Sequence, residues 1–196
     1  EYPSATDYRV SLWTGDKVAG DLIISAYVEG SGYNKAIELY NGTGAAVDLS
    51  AYSLQIARNG GGSFYNDTPL GNAILPAGET YLLLNDDSEN ETLRAKASKI
   101  IPGGETSPLN FNGNDAVALC RNGIIIDVVG AADEIAYWGQ DKTLYRRAYV
   151  THPSTVYNEG EWESAPQDDF SKIALFEMQF AQEQEYLYTD KSVGPV

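Results

Sequence analysis

The chain has 196 residues, with 13 Lys and Arg against 28 Asp and Glu, for a formal charge of -15. That excess repels nucleic-acid phosphates and anionic membrane surfaces, and no run approaches the ~20 apolar residues that span a bilayer. A single cysteine, Cys120, excludes an internal disulfide and a cysteine-based metal site, and a single histidine, His152, excludes multi-histidine zinc sites.

In sequence order, Glu1 to Gly20 reads as a linker or as an edge strand through Tyr8 to Leu12. Apolar and alternating runs then predict strands over Asp21 to Val28, Lys35 to Tyr40, Tyr52 to Ala57, Glu79 to Leu84, Ala116 to Cys120, Ile124 to Val129 and Leu144 to Val150. Turn residues separate them. Asn41 to Gly44 follows the second run, and Pro76-Ala77-Gly78 precedes the fourth. Asn122-Gly123 is the strongest signal, because both residues tolerate the positive φ of a two-residue hairpin. A short helix is expected over Leu93 to Ala97, and Ile100 to Pro102 resumes an extended course. The stretch Phe176 to Tyr188 fits an edge strand, a short helix or a surface tail. About seven strands of this kind suit a sandwich.

Within Ala36 to Tyr40, alternation puts Ile37 and Leu39 on one face and Glu38 and Tyr40 on the other, as in a strand with one buried side. Glu38 is then either a solvated carboxylate or a buried acceptor for backbone or Arg donors. Cys120 lies in an apolar run and reads as a buried, inert thiol. The Gly60-Gly61-Gly62 loop lacks the lysine and hydroxyl residue of a phosphate cradle. Asp86 to Glu91 offers oxygen ligands but not the spacing of a calcium-binding EF-hand loop, so a solvated face is expected and calcium is only a weak reading. No catalytic, cofactor-binding or metal-binding residues are assigned. His152 sits in a Thr-His-Pro turn with no serine partner marked by a motif, and pairs such as Asp168-Asp169 say little in so acidic a protein.

Three ordered blocks, Asp21 to Gly30, Asn34 to Asn41 and Ala46 to Leu54, resemble the opening half of a bacterial lamin tail domain. Leu75 to Leu83, Phe111 to Leu119 and Ile125 to Gly130 resemble its continuation. Thr143 to Arg147, Tyr157-Asn158, Glu161 to Ser164 and Pro166 to Phe170 are similar to the closing part of secreted members. One departure is that Phe170-Ser171 runs into Lys172 to Phe176, where many secreted members have glycine and histidine. The resemblance implies an all-β fold, an immunoglobulin-like antiparallel β-sandwich of about 7–10 strands, with no catalytic residues to carry over. It divides the protein into an N-terminal linker or edge strand (1–20), a lamin-tail-like domain (21–176) and a C-terminal extension (177–196).

The function expected is a non-catalytic binding or scaffolding module, extracellular or at the cell surface, within a larger bacterial protein. A sequence that begins at Glu1 with no initiator Met reads as a trimmed segment, from which a signal peptide or lipid anchor could have been removed. One alternative is a carbohydrate-binding module using Tyr137, Trp138, Tyr145, Tyr149 and Trp162. Another is an accessory domain of an extracellular nuclease or hydrolase. The partner expected is a protein or a polysaccharide, reached through loops or by pairing at a sheet edge, and no cofactor or direct nucleic-acid contact is expected.

Overall fold

The computed structural model describes residues 18–180. The expected pairing of Tyr8 to Leu12 lies outside the described residues, as does the end of the Phe176 to Tyr188 stretch. Twelve strands are formed: β1 (Ile23–Glu29), β2 (Lys35–Tyr40), β3 (Val47–Asp48), β4 (Tyr52–Ala57), β5 (Tyr65–Pro69), β6 (Ile74–Leu75), β7 (Thr80–Asn85), β8 (Lys99–Ile101), β9 (Ala116–Arg121), β10 (Ile124–Val129), β11 (Lys142–Arg146) and β12 (Trp162–Pro166). One helix, α1 (Glu91–Lys96), lies between β7 and β8.

A six-stranded sheet in the order β12-β11-β1-β2-β7-β8 faces a four-stranded sheet in the order β10-β9-β4-β5, with β3 and β6 forming a small third pair. The architecture is the expected all-β sandwich. All pairings are antiparallel except β7 with β8, which are joined through α1, since parallel neighbours need a crossover.

The sandwich is closed by side chains from both inner faces. Ile24, Tyr27, Ile37, Leu39 and Leu144 of the larger sheet meet Leu54, Ile56, Val117, Leu119 and Val129 of the smaller. Ile37 and Leu39 thus point inward as the alternation predicts. The opposite face of the same sheet is buried as well. There Ala26, Val28, Ala36, Leu82, Leu84 and Tyr145 are covered by Leu93 of α1 and by Phe170 and Ile173 of a strap after β12. A strand covered on both faces reads as continuously apolar, which is the character of Leu22 to Val28. A β-bulge between Ile24 and Ala26 also shifts the register there, so Ile24 points inward and Ala26 outward.

The Asn122-Gly123 turn forms as read. Both residues have positive φ, 51° and 75°, and join β9 to β10 as a two-residue hairpin. Gly78 (φ 79°) completes the turn after Pro76, where the Glu79 amide donates to the Pro76 carbonyl. Several boundaries shift by one or two residues from the sequence reading, and two shifts have a clear local cause. The strand expected over Leu144 to Val150 ends at Arg146, and the Val150 amide then turns back to the Arg147 carbonyl. The helix begins at Glu91 because Asn90 caps it, its side chain accepting from the Leu93 amide at 3.1 Å.

Leu39→Ala removes a fully buried side chain from the centre of the sandwich. It should lower the unfolding free energy by about 2–5 kcal/mol in urea titration, with the slope of the transition unchanged.

Candidate functional site

The functional residues that sequence reasoning overlooked form a buried charge junction between the sheets. Arg146 on β11 and Asp127 on β10 have side chains 1% and 0% exposed, and their closest contact is 3.2 Å. The second guanidinium nitrogen of Arg146 meets Glu161 at 2.7 Å, and the cation lies 4.8 Å above the Trp162 ring. Asp127 also accepts from the Ile24 amide on β1 at 2.8 Å and from the Ser154 amide at 2.9 Å. Burial pushes its carboxyl above the ordinary value, opposed by the Arg146 charge and by these amides. An aspartate inside the apolar run Ile124 to Val129 was the available sequence signal.

Further carboxylates are enclosed, among them Asp115, which accepts from the Asn59 and Asn112 amides at 2.9 and 3.0 Å. Glu29 pairs with Lys35, its direct neighbour across the β1–β2 ladder, and also accepts from the Asp141 amide. Lys35 donates in addition to the Gly30 carbonyl at 2.6 Å. Glu38 is 1% exposed and resolves in favour of the buried-acceptor reading. It accepts from the Ser25 hydroxyl at 2.8 Å and from the Ala174 amide at 2.6 Å, which ties the strap to the sheet. Burial raises its carboxyl above the usual range, offset by these two bonds and by the charge of Lys96.

Three shallow grooves open on the surface. The first, about 490 Å³, lies between the loop after β11 and the strap and is lined by Arg147, Tyr149, Glu163, Lys172 and Leu175 among others. The second, about 600 Å³, spans Ser31 to Asn34 and Asp87 to Asn90. The third, about 420 Å³, includes Asp21, Asp48, Tyr52 and Arg121. Neither His152 nor Cys120 lines any of them. His152 is exposed in its turn. Cys120 is buried, and burial moves its thiol up to about 11, as an inert core thiol requires.

Among the described residues, no group of three or more His, Cys, Asp or Glu side chains is placed to hold a metal ion. In the acidic loop, Asp86 accepts from the Gly103 amide at 2.6 Å. Arg94 claims the Asp86 and Ser88 carbonyls. The aromatic candidates separate sharply. Trp138 is held between Tyr27 and Tyr157, with ring centroids 5.2 and 5.4 Å away. Trp162 lies under Arg146, and Tyr145 is buried with its hydroxyl donating to the Asp169 carbonyl at 2.7 Å. Only Tyr137 and Tyr149 project into solvent.

Residues 16–133 match the family model of the lamin tail domain. The chain belongs to the lamin tail domain family. No curated protein matches it. The matched residues of this lamin tail domain supply β1 through β10, whereas Arg146, Glu161 and the strap that answer Asp127 and Glu38 all lie beyond the match. The family is one of immunoglobulin-like, non-enzymatic domains. The enclosed charges fit that character, since each is bonded within the fold.

Two outcomes test these assignments. Arg146→Met leaves Asp127 buried without its cation and should cost about 3–5 kcal/mol, with part recovered in the double variant carrying Asp127→Asn, as read by urea midpoints. Glu38 has a raised carboxyl value in the folded state, so its ionisation opposes folding. That contribution is absent below the ordinary value of 4.5 and grows as pH rises above it. Glu38→Gln can keep both hydrogen bonds, accepting from Ala174 and donating to Ser25. It should therefore become more stable relative to the parent as pH rises from about 4 to 8 in urea titrations.

Proposed function

We propose that this lamin tail domain is a non-catalytic extracellular binding or scaffolding module within a larger secreted or surface-anchored bacterial protein. One observation carries the reading: Asp127, Arg146, Glu29, Lys35, Glu38 and Asp115, the buried charged groups among the described residues, are consumed by contacts that hold strands, loops and strap together. A catalytic site instead aims such groups at a cavity where a reacting atom sits. The three grooves are lined by no histidine or cysteine and by none of the enclosed carboxylates.

The charge of -15 makes the module a poor grip for nucleic acid even beside a nuclease domain, so its part there is to position or anchor the neighbour. A polysaccharide is a second reading, favoured by Tyr149 at the lip of the first groove next to Arg147 and Lys172.

One set of titrations separates these readings. Fluorescent duplex DNA should show no binding at physiological salt, and affinity electrophoresis in a panel of neutral and acidic polysaccharides should show no retardation. Retardation lost in Tyr149→Ala would establish the polysaccharide reading instead. Turnover of ester, glycoside or phosphodiester substrates that disappears in His152→Ala would overturn the non-catalytic reading.

A further inference from the structure

Four Asn-Gly steps occur in the sequence, at Asn41, Asn59, Asn112 and Asn122. Such a step can rearrange without an enzyme. The Gly nitrogen attacks the carbonyl carbon of the Asn carboxamide, giving up its hydrogen as the new C–N bond forms. The original C–N bond of the carboxamide breaks, and its nitrogen leaves as ammonia. Water then opens the cyclic imide, yielding aspartate when it adds at the carbonyl that came from the carboxamide and isoaspartate when it adds at the backbone carbonyl. The reaction requires a glycine nitrogen free to approach and an asparagine carboxamide free to turn, and the fold decides where both hold.

Asn41 is buried, and its carboxamide is locked. Its nitrogen donates to the Ala45 carbonyl at 2.8 Å and the Leu75 carbonyl at 2.9 Å, and its oxygen accepts from the Thr43 amide and hydroxyl. Asn112 precedes the buried Gly113, which packs against the Gln140 backbone and whose carbonyl accepts from Gly139. The Asn112 backbone amide is held by Asp115 at 3.0 Å. Asn59 is exposed, but Gly60 is packed against Glu134 and Ile135, which crowd the approach of its nitrogen. Asn122 differs from all three in the open space around its glycine. Asn122 and Gly123 are both exposed at the hairpin tip, nothing lies within 4 Å of a Cβ built on Gly123, and neither the Gly123 N–H nor the Asn122 carboxamide makes a hydrogen bond among the described residues. The Asn122 backbone amide donates to the Ala51 carbonyl at 2.7 Å, a bond that leaves both reacting groups free.

We propose that Asn122 is a site of spontaneous deamidation and isoaspartate formation, the one Asn-Gly step that the fold leaves reactive. The position makes the product consequential. Isoaspartate adds a methylene to the backbone, and a two-residue hairpin has no slack for it. The neighbouring residue Arg121 holds Asp21 at 2.9 Å, just before β1, and a new carboxylate at 122 competes for that cation. The modification therefore loosens the β9–β10 tip and the Asp21 contact together, while the core of the sandwich stays intact.

The test is prolonged incubation at neutral pH and body temperature, with peptide mapping by mass spectrometry and isoaspartate detection, carried out in parallel on the native protein and on the protein in concentrated urea. In urea all four steps react at comparable rates. In the native protein, conversion at Asn122 should exceed that at Asn41 by more than about tenfold, because local opening is easiest at exposed tips and hardest in the core. Asn122→Gln, a surface change, should abolish the leading product and leave the slower sites unchanged. If Asn59, Asn112 or Asn41 leads, or if the native-to-urea ratio at Asn122 falls as low as at Asn41, the proposal is overturned.

Discussion

Arg146 of β11 carries a full charge into the space between the two sheets, where Asp127 of β10 and Glu161 answer it. Removing two ions from water costs several kcal/mol each before any attraction is regained, so such a pair adds little net stability compared with apolar residues of the same volume. It does impose geometry. Asp127 is satisfied only when the Ile24 amide of β1, the Ser154 amide and the Arg146 fork converge on it together. The bulge in β1, the edge strand of the smaller sheet and the segment after β11 are thus positioned by one carboxylate. A slip of any of them leaves a buried charge unpaired.

The same junction helps close a sheet edge. Past Asp127, the Val128 amide donates to the Ser154 carbonyl, so that half of β10 is not free to pair further, and a register shift interrupts its other half. The remaining edges are blunted too. β5 ends in Pro69 and contains Asn66 at positive φ, β12 ends in Pro166 after carrying Glu163, and β8 is three residues long and meets Pro102. These are the devices that keep β-proteins from adding strands edge to edge. Together with a charge of -15, they give recognition by loops and grooves a better physical basis than recognition by sheet extension.

The fold was legible where one strong local signal decided it. Asn122-Gly123, set directly between two apolar runs, specifies a two-residue hairpin, and the apolar residues of β2, β4, β9 and β10 come with turn residues at their ends. β5 was not legible, because Tyr-Asn-Asp-Thr-Pro has no apolar alternation and becomes a strand only by lying against β4. The two-residue strands β3 and β6 likewise exist through each other. The charge junction was only half visible. Asp127 interrupts an apolar run, a signal the sequence reading passed over, and its partner lies 19 positions away and a third contact, the Ile24 amide, 103 positions away. Spacing of that kind carries no local pattern. For the aromatic residues the sequence left packing and an exposed sugar platform both open, and only the structure decides it for Trp138 and Trp162, which Tyr157 and Arg146 cover.

Glu38 shows why the region after the family match is part of the domain and not an appendage to it. A central strand of a two-layer sandwich can leave one face to solvent, and a carboxylate on that face costs nothing. Here β2 has no such face, because Phe170 and Ile173 cover its neighbours and the Ala174 amide reaches Glu38 directly. Ala174 accepts a positive φ of 64° in making that contact, a conformation unfavourable for any residue with a Cβ. Lys96 of α1 donates to the Ile173 carbonyl at 2.8 Å, so the helix and the strap hold each other down over the sheet. Without the strap, Glu38 would regain water, but Val28, Leu82, Leu84 and Tyr145 would be uncovered beside it. The layer that encloses the charge is the same one that covers these apolar side chains, and this joins β11, β12 and the strap to the sandwich.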